Sequence, residues 1–278
     1  DAKSPAERRA IVEANPYSYL GVTRSAEDLA QGDAATAEDL LDRGAGTLKT
    51  ILDAGAFEPT GRPTLYAYRL TYAGHSQTGI VGALLVDGFH ENVRPNRAHH
   101  LARHLQWVGA TSSPIALTHR AHPEISTVLD AATERPPDVH HVVEEVLHEV
   151  WPLDDDEAAI VAAGLADETV FVTDGHHRSA AAIAGSKARD EPQFARTLAV
   201  VFPDDALRVE AFHRRIPDRH GRGPDDLVAA LATHGPILEV GTLEEARPQR
   251  PREVGVYHQG RWFRFTIPEP DTDSPVGL

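Results

Sequence analysis

The residues with the clearest capacity for chemistry are Asp174, Gly175, His176, His177 and Arg178, which form one consecutive run. The β-branched residues before the run predict a buried strand, and the alanines after it predict a helix. Ligands of sheets with flanking helices gather at the ends of strands, and the N–H groups at the start of a helix bind phosphate or carboxylate. The run therefore predicts an anion-binding turn between a strand and a helix.

Each residue of this turn suits a different part of such a site. Gly175 would let the backbone approach an anion closely. Arg178 would add a forked hydrogen-bond donor, and His176 and His177 would add imidazole donors. Asp174 is a candidate Mg²⁺ ligand or a residue that orients a histidine. The alternative is an ordinary helix start in which Asp174 only caps the helix.

A second polar cluster, residues 90–97, lies between a predicted strand and a predicted helix. Glu91 is a candidate general base, while Arg94 and Arg97 are candidates for gripping a phosphate. The cluster is not the zinc motif H-E-x-x-H, because Arg94 occupies the place of the second histidine. The alternative is a solvated loop with ordinary ion pairs.

A third basic group, His213 and Arg214 with Arg215, follows another apolar segment. Histidine and arginine at a strand end predict contact with an anion, and the alternative is a basic triplet on the surface.

The 16 histidines also raise the question of a metal site. Three pairs have spacings that place both members on one face of a helix: His100–His104, Glu145–Glu149 and His141–His148. The spacing supplies no third ligand, so a transition-metal site is the weaker interpretation. The sequence also contains no G-x-S-x-G elbow, no Walker A loop and no G-x-G-x-x-G fingerprint.

Composition excludes several classes of protein. The 278 residues hold 27 Lys and Arg against 42 Asp and Glu, which gives a net charge of −15. Such an acidic chain is a poor ligand for nucleic acid, because phosphate contacts need a positive surface. The absence of cysteine excludes disulfides, cysteine–zinc sites and thiol catalysis. No apolar run approaches the length of a membrane span and no signal peptide opens the chain, so we expect a cytoplasmic protein.

Hydrophobic periodicity and turn residues predict a mixed α/β or α+β protein. Helices are predicted at 4–15, 34–54, 96–110, 125–132, 155–166, 179–188 and 225–234. Strands are predicted at 17–22, 63–72, 79–86, 115–118, 169–173, 198–202, 236–240, 254–258 and 262–267, with 139–153 left open between helix and strand. The Pro- and Gly-containing segment 217–226 predicts a linker, which divides the chain into a core over 1–220 and a small C-terminal subdomain over 221–278.

The run at 172–178 resembles the "ADGHHR" signature of the bacterial and archaeal family named domain of unknown function 1015. Other segments resemble that family in the same order along nearly the whole chain. They are Asn15-Pro16-Tyr17-Ser18-Tyr19-Leu20, Pro63-Thr64-Leu65-Tyr66-Ala67-Tyr68, His90-Glu91 with Arg97, Ser113-Pro114-Ile115 and Phe212-His213-Arg214. Val93 departs from the family pattern, in which threonine is usual.

The resemblance implies a fold related to ParB and sulfiredoxin, in which a G-x-x-R-x-x-A box cradles nucleotide phosphates at a helix start. Gly175, Arg178 and Ala181 keep the spacing of that box. Members with the histidine form of the box resemble free-serine kinases. The resemblance therefore implies phosphate binding at residues 175–178 and a carboxylate base, for which Glu91 is the candidate by its position.

We therefore expect a ParB/sulfiredoxin-like mixed-sheet core that transfers a phosphoryl group between ATP or ADP and a small hydroxyl metabolite, L-serine first, with Mg²⁺ at Asp174. The expected catalytic residues are Glu91 and His177, and the expected phosphate-binding residues are Gly175, His176, His177, Arg178, Arg94, Arg97, His213 and Arg214. The expected partners are a nucleotide and a small molecule, without nucleic acid or membrane, and a homodimer is allowed for. Two alternatives remain: a nucleotide-binding switch or scaffold without turnover, and a histidine-based metal hydrolase.

Overall fold

The computed structural model describes residues 4–23, 36–57, 61–86, 93, 95–111, 113–188, 191–208, 213–217, 219 and 221–269. The chain divides into two compact units, Asp1–Val209 and Glu210–Leu278, whereas the sequence pattern predicted the division after residue 220. Within the described ranges, no helix is long and apolar enough to cross a membrane.

Helices and strands alternate along the chain in the mixed pattern that the sequence predicts. The helices are α1 Pro5–Ala14, α2 Ala37–Asp53, α3 Pro95–Val108, α4 Pro123–Thr133, α5 Asp155–Leu165, α6 His176–Ala188, α7 Pro224–Ala232 and α8 Leu243–Ala246. The strands are β1 Tyr66–Tyr72, β2 His75–Leu85, β3 Ile115–His119, β4 Val139–Val143, β5 Val146–Pro152, β6 Phe171–Asp174, β7 Arg196–Pro203, β8 Ile237–Val240, β9 Glu253–His258 and β10 Arg261–Thr266. The mixed α/β class is confirmed.

The first unit is built on one mixed sheet, in which the described strands follow the order β4-β5-β1-β2-β7-β3-β6. Every neighbouring pair is antiparallel except β3 and β7, which run parallel. Because β3 lies between β6 and β7, the segment 169–202 is not a simple crossover between adjacent strands. The start of β3 and the end of β6 meet at one edge of the sheet, where α6 begins.

A row of buried side chains crosses this sheet and forms its apolar core. Trp151, Ala67, Ile80, Val201 and Leu117 are partners in successive strand pairs. Helices α4 and α5 contribute side chains that pack on the part of the row nearest β1, namely Ile125, Val128, Leu129, Ala132 and Val161. Burying a side chain of this size contributes about 1.5–3 kcal/mol, so this row is a main source of stability.

Helix α6 packs against α3 through a face of small residues. Its buried residues are Ser179, Ala181, Ala182 and Gly185. A Cβ added at Gly185 would lie 3.4 Å from Cδ2 of Leu105, so the small side chains allow close approach of the two helices. This packing fixes the position of the α6 N-terminus.

The second unit carries a smaller sheet in the order β8-β10-β9, with Phe263 buried on it. Arg261 donates to both carboxylate oxygens of Glu239, at 2.8 and 2.6 Å, and to Oδ1 of Asp225 at 2.7 Å. These bonds join two strands and α7 within the unit. The predicted strands at 254–258 and 262–267 are confirmed and form a hairpin, with Gln259 and Gly260 at positive φ in its turn.

Two predicted strands differ from the structure. Residues 17–22 form no strand but a 3₁₀-helix, Tyr19–Gly21, since the Ser18 hydroxyl accepts from the backbone N–H of Leu20 and favours a helical turn. The predicted buried strand at 169–173 is β6, whose residues are largely exposed because it borders the sheet among the described strands. The segment 139–153, for which the sequence pattern did not decide between helix and strand, contains the hairpin of β4 and β5.

Candidate anion-binding site

The strand β6 and the helix α6 are joined by a single residue, Gly175. The sequence predicted a turn over 174–178, but His176, His177 and Arg178 already belong to the first turn of α6. The carbonyl of Gly175 accepts the first helical hydrogen bond, from Ser179 N at 2.9 Å. Asp174 lies one residue before this capping position, and its carboxylate accepts from Arg178, which does not support the simple capping alternative.

Gly175 is required by its backbone and by its surroundings. Its φ is +93°, which L side chains rarely adopt. A Cβ at this position would lie 3.0 Å from Cγ2 of Ile115 and 3.1 Å from Nε and Nη2 of Arg178. The glycine therefore allows the guanidinium group to lie directly against the backbone of the turn.

Arg178 is held by three acceptors. Its Nη1 donates to the hydroxyl of Ser113 and, at 2.8 Å, to the carbonyl oxygen of Pro114. Its Nη2 donates to Oδ2 of Asp174 at 2.7 Å. The arginine side chain is 24% exposed, so its position is set by the protein and not by solvent. A fixed, partly buried guanidinium group is the kind of donor that binds phosphate or carboxylate oxygens.

The carboxylate of Asp174 is suited to a magnesium ion. The side chain is 77% exposed, and one of its oxygens accepts from Arg178. Mg²⁺ is commonly held by one or two carboxylates together with substrate phosphates and water. One exposed carboxylate beside an anion-binding turn fits that donor set.

The two histidines of the turn differ in exposure. His176 is exposed, whereas Nε2 of His177 is buried and has no hydrogen-bond partner in the part of the chain that the structure describes. A buried polar nitrogen without a partner is unfavourable, and Tyr19, His119 and His122 carry further buried polar atoms without a partner among the described residues. Ser179 lies below this turn, fully buried, and its hydroxyl donates to the His176 carbonyl at 2.9 Å.

The cavity next to Arg178 is small, and a larger cleft adjoins it. A small cavity of about 40 Å³ is lined by Arg178, Ser113, Ala181 and His104, among others. It shares four lining residues with an open cleft of about 370 Å³: Leu105, Ala110, Thr111 and Thr197. The cleft falls within the range of small-molecule pockets, of about 300–1,000 Å³.

His104 lines the cavity and is kept neutral by its environment. Burial lowers the pKa of His104, and the nearby His100 lowers it further, although a hydrogen bond to the Val22 carbonyl opposes both effects. Nε2 of His104 donates to that carbonyl at 3.3 Å. The residue links α3 to the segment before α2 and brings no positive charge to the cavity.

The other predicted site residues belong to other segments of the chain. Glu91 and Arg94 lie outside the described residues. Arg97 is on α3 with an exposed side chain. His213 and Arg214 belong to the second unit, where both are exposed.

Two of the three histidine and glutamate pairs have a different geometry from the one predicted, whereas His100 and His104 lie four residues apart on α3 as predicted. His141 and His148 are partners across the β4–β5 hairpin, and His148 Nδ1 is hydrogen-bonded to the Tyr68 hydroxyl at 2.7 Å. Glu145 and Glu149 are not on a helix: Glu145 is in the hairpin turn and Glu149 is on β5. The described residues contain no group of three or more metal-binding side chains.

Sequence reasoning did not assign Ser113 and the Pro114 carbonyl to the site. They precede Arg178 by 65 and 64 residues, and no spacing rule connects them to the turn. The sequence signal for this segment is the family resemblance at Ser113-Pro114-Ile115, and the pairing of β3 with β6 places the segment at the turn.

The fold and the site together define a mixed α/β protein with a candidate anion-binding turn at the start of α6. The model of a family described as a protein of unknown function, DUF1015, matches residues 1–277, and the chain belongs to this family. The comparisons with curated proteins and with solved structures found no match.

Proposed function

We propose that the protein is a magnesium-dependent phosphotransferase that moves a phosphoryl group between ATP or ADP and a small hydroxyl metabolite, L-serine first. The observation that carries the proposal is the guanidinium group of Arg178, fixed against the Gly175 backbone at the start of a helix. Phosphoryl transfer depends mainly on positioning and on neutralising phosphate charge, and a fixed arginine at a helix start supplies both.

The phosphate would lie over the first turn of α6. The backbone N–H groups of residues 176–178 are the kind of donor that a helix start offers to anions, and Arg178 lies beside them. His177 would donate to a phosphate oxygen after its ring turns, because its Nε2 is buried in this conformation. His176 would contribute a second imidazole donor from the exposed side.

In the transfer step, the hydroxyl oxygen of the acceptor bonds to the terminal phosphorus of the nucleotide. The bond from that phosphorus to its bridging oxygen breaks, and the shortened nucleotide keeps the bond electrons. Glu91 is the proposed base that takes the hydroxyl proton. Mg²⁺, held through Asp174, would neutralise charge on the phosphate oxygens when bound.

The remaining basic residues have a supporting part in the proposal. Arg94 and Arg97 would bind outer phosphate oxygens or the acceptor, and phosphate binding by His213 and Arg214 stays a prediction from the sequence. The resemblance to ParB and sulfiredoxin supports the fold assignment, since Gly175, Arg178 and Ala181 keep the spacing of the phosphate box.

The protein is proposed to work in the cytoplasm on small molecules, without nucleic acid or membrane, as a monomer or homodimer.

The test is thermal stability with ATP, ADP, AMP, CTP and GTP, each with and without Mg²⁺ and L-serine, for the wild type and Arg178→Ala. A ligand at about 100 times its dissociation constant adds about 2.7 kcal/mol to the free energy of unfolding, which gives a clear rise in Tm. We expect an adenine nucleotide to raise the Tm of the wild type and not that of Arg178→Ala.

Arg135→Ala is the matched control. Arg135 also donates to backbone carbonyls, of Ala132 and Pro152, and to a carboxylate, of Glu157, but lies away from the turn. Both variants should lose stability, and only Arg178→Ala should lose the nucleotide effect. A wild type whose Tm no nucleotide raises would contradict the proposal.

Turnover then separates the proposed kinase from its alternatives. Nucleotide consumption that requires L-serine or another hydroxyl compound supports phosphotransfer. Nucleotide binding without turnover would favour a switch or scaffold, and zinc found by elemental analysis together with hydrolysis would favour a metal hydrolase.

A further inference from the structure

We infer that Asp174 makes magnesium and phosphate binding depend on each other, because the carboxylate that would hold the cation now neutralises the arginine that would hold the anion. This inference rests on the proposed function and names a regulation of the same site. Asp174 would act as a positioning residue for Arg178 in the absence of ligands and as a cation ligand in their presence.

The first step of the argument is that the arginine stays in place when the carboxylate leaves. Nη1 of Arg178 is bound by two neutral acceptors, the Ser113 hydroxyl and the Pro114 carbonyl, and both precede β3. Only Nη2 depends on Asp174. The guanidinium group therefore keeps two hydrogen bonds when the aspartate moves. Their acceptors are neutral, so they do not repel an anion.

The second step is that the carboxylate can leave. The side chain of Asp174 is 77% exposed, against 24% for Arg178, so rotation of the aspartate into solvent requires no repacking. With Asp174 in place, an incoming phosphate meets a like charge and an arginine that is already paired. With a cation on Asp174, the repulsion becomes attraction and Nη2 is released to the phosphate.

Cation and anion must then promote each other's binding by the same factor, since linkage between two binding equilibria is reciprocal. The direction in which Asp174→Asn changes phosphate binding follows directly. Asp174→Asn removes the competing charge and the cation ligand together. Phosphate binding without Mg²⁺ should become tighter, while the effect of Mg²⁺ should be lost.

The experiment measures ADP affinity by calorimetry, with and without Mg²⁺, for the wild type, Asp174→Asn and a control. The control is Asp53→Asn, because Asp53 pairs with Lys49 at 2.6 Å in another exposed i,i+4 ion pair and carries the same charge. Without Mg²⁺, Asp174→Asn should bind ADP about tenfold more tightly than the wild type, and Asp53→Asn should not. Mg²⁺ should raise the affinity of the wild type about tenfold and that of Asp174→Asn by less than about twofold.

Inorganic phosphate is the second probe, read as a rise in Tm, because it makes no base or ribose contacts and reports the turn alone. In the wild type, the rise in Tm caused by phosphate should be larger in the presence of Mg²⁺ than in its absence. Equal rises would overturn the inference, and this comparison needs no variant, so it holds even if Asp174→Asn fails to fold.

The outcomes separate the inference from the proposed function. If ADP and phosphate bind but Asp174→Asn behaves like Asp53→Asn, the coupling is wrong and the phosphate site stands. If neither ADP nor phosphate binds the wild type with Mg²⁺ present, the proposed function and the inference are both overturned. A wild type with equal affinities in the presence and absence of Mg²⁺ overturns the coupling alone.

Discussion

Arg178 donates a hydrogen bond to the hydroxyl of Ser113, a residue 65 positions earlier in the chain. The bond ties the start of α6 to the segment that enters β3. Together with the bond to the Pro114 carbonyl, it sets the direction of the guanidinium group before any ligand arrives. The candidate site is thus shared between two segments that are distant in sequence.

Loss of the Ser113 hydroxyl should weaken the link between the start of α6 and the segment before β3. We expect Ser113→Ala to lower the free energy of unfolding by about 1 kcal/mol, the usual contribution of one such hydrogen bond, and to reduce the stabilisation by adenine nucleotides. Urea unfolding with and without ADP measures both effects. Ser186→Ala is the control, since Ser186 donates to the Ile183 carbonyl within α6 and is not part of the turn. Equal nucleotide effects in the two variants would contradict the assigned role of Ser113.

Gly175 should tolerate no side chain. Gly175→Ala combines a positive φ with contacts of 3.0–3.1 Å, whereas Gly74→Ala places a Cβ at a positive φ in open space. Strain from φ alone costs about 1–2 kcal/mol, so Gly74→Ala should show about this loss. Gly175→Ala should lose more, and it should also displace Arg178 and abolish the rise in Tm with ADP. Chemical unfolding of both variants gives the comparison, and equal losses would show that the close contacts are relieved without cost.

Substitution of two glycines of α2 by alanine should change the free energy of unfolding in opposite directions. A Cβ at Gly44 would lie 2.5 Å from the Val22 carbonyl, whereas a Cβ at Gly46 meets nothing within 4 Å. Gly46→Ala should raise the free energy of unfolding by up to about 1 kcal/mol through helix propensity. Gly44→Ala should lower it, because the helix must move away from the 3₁₀ segment that it packs against. Thermal unfolding of the pair tests this, and a stabilised Gly44→Ala would refute the close approach.

Acid should destabilise the fold through His104. Burial lowers the pKa of His104 below its usual value of 6.5, so the unfolded chain binds this proton at a higher pH than the folded protein does. Between the two pKa values the unfolded state holds more protons, and stability therefore rises with pH. The contribution of His104 is present above about pH 6.5 and is lost as the pH falls below it.

Urea unfolding from pH 5 to pH 8 measures this effect. His104→Gln, whose amide can still donate to the Val22 carbonyl, should flatten the dependence on pH. His99→Gln, at an exposed position of the same helix, should leave it unchanged. A profile for His104→Gln as steep as that of the wild type would place the acid sensitivity elsewhere.

Local signals in the sequence were sufficient for most elements. Ser4 and Glu7 predict the start of α1, and both bonds of that capping box are formed. The segment 73–76 predicts a hairpin, and the turn between β1 and β2 lies at residues 73 and 74, which both have positive φ. The strand at 17–22 was wrong because the Ser18 hydroxyl acts at short range and turns the chain there. The buried character expected of β6 was wrong because burial depends on the position of a strand in the sheet.

The family, the mixed α/β class and the run of residues 174–178 follow from the amino-acid sequence, because they depend on residue type and on neighbours within a few positions. The hydrogen bonds from Arg178 to Ser113 and Pro114 are visible only in the folded chain. They arise from the order of the strands. The antiparallel pairing of β3 with β6 brings the ends of two distant segments together, and no local pattern encodes which strands become neighbours.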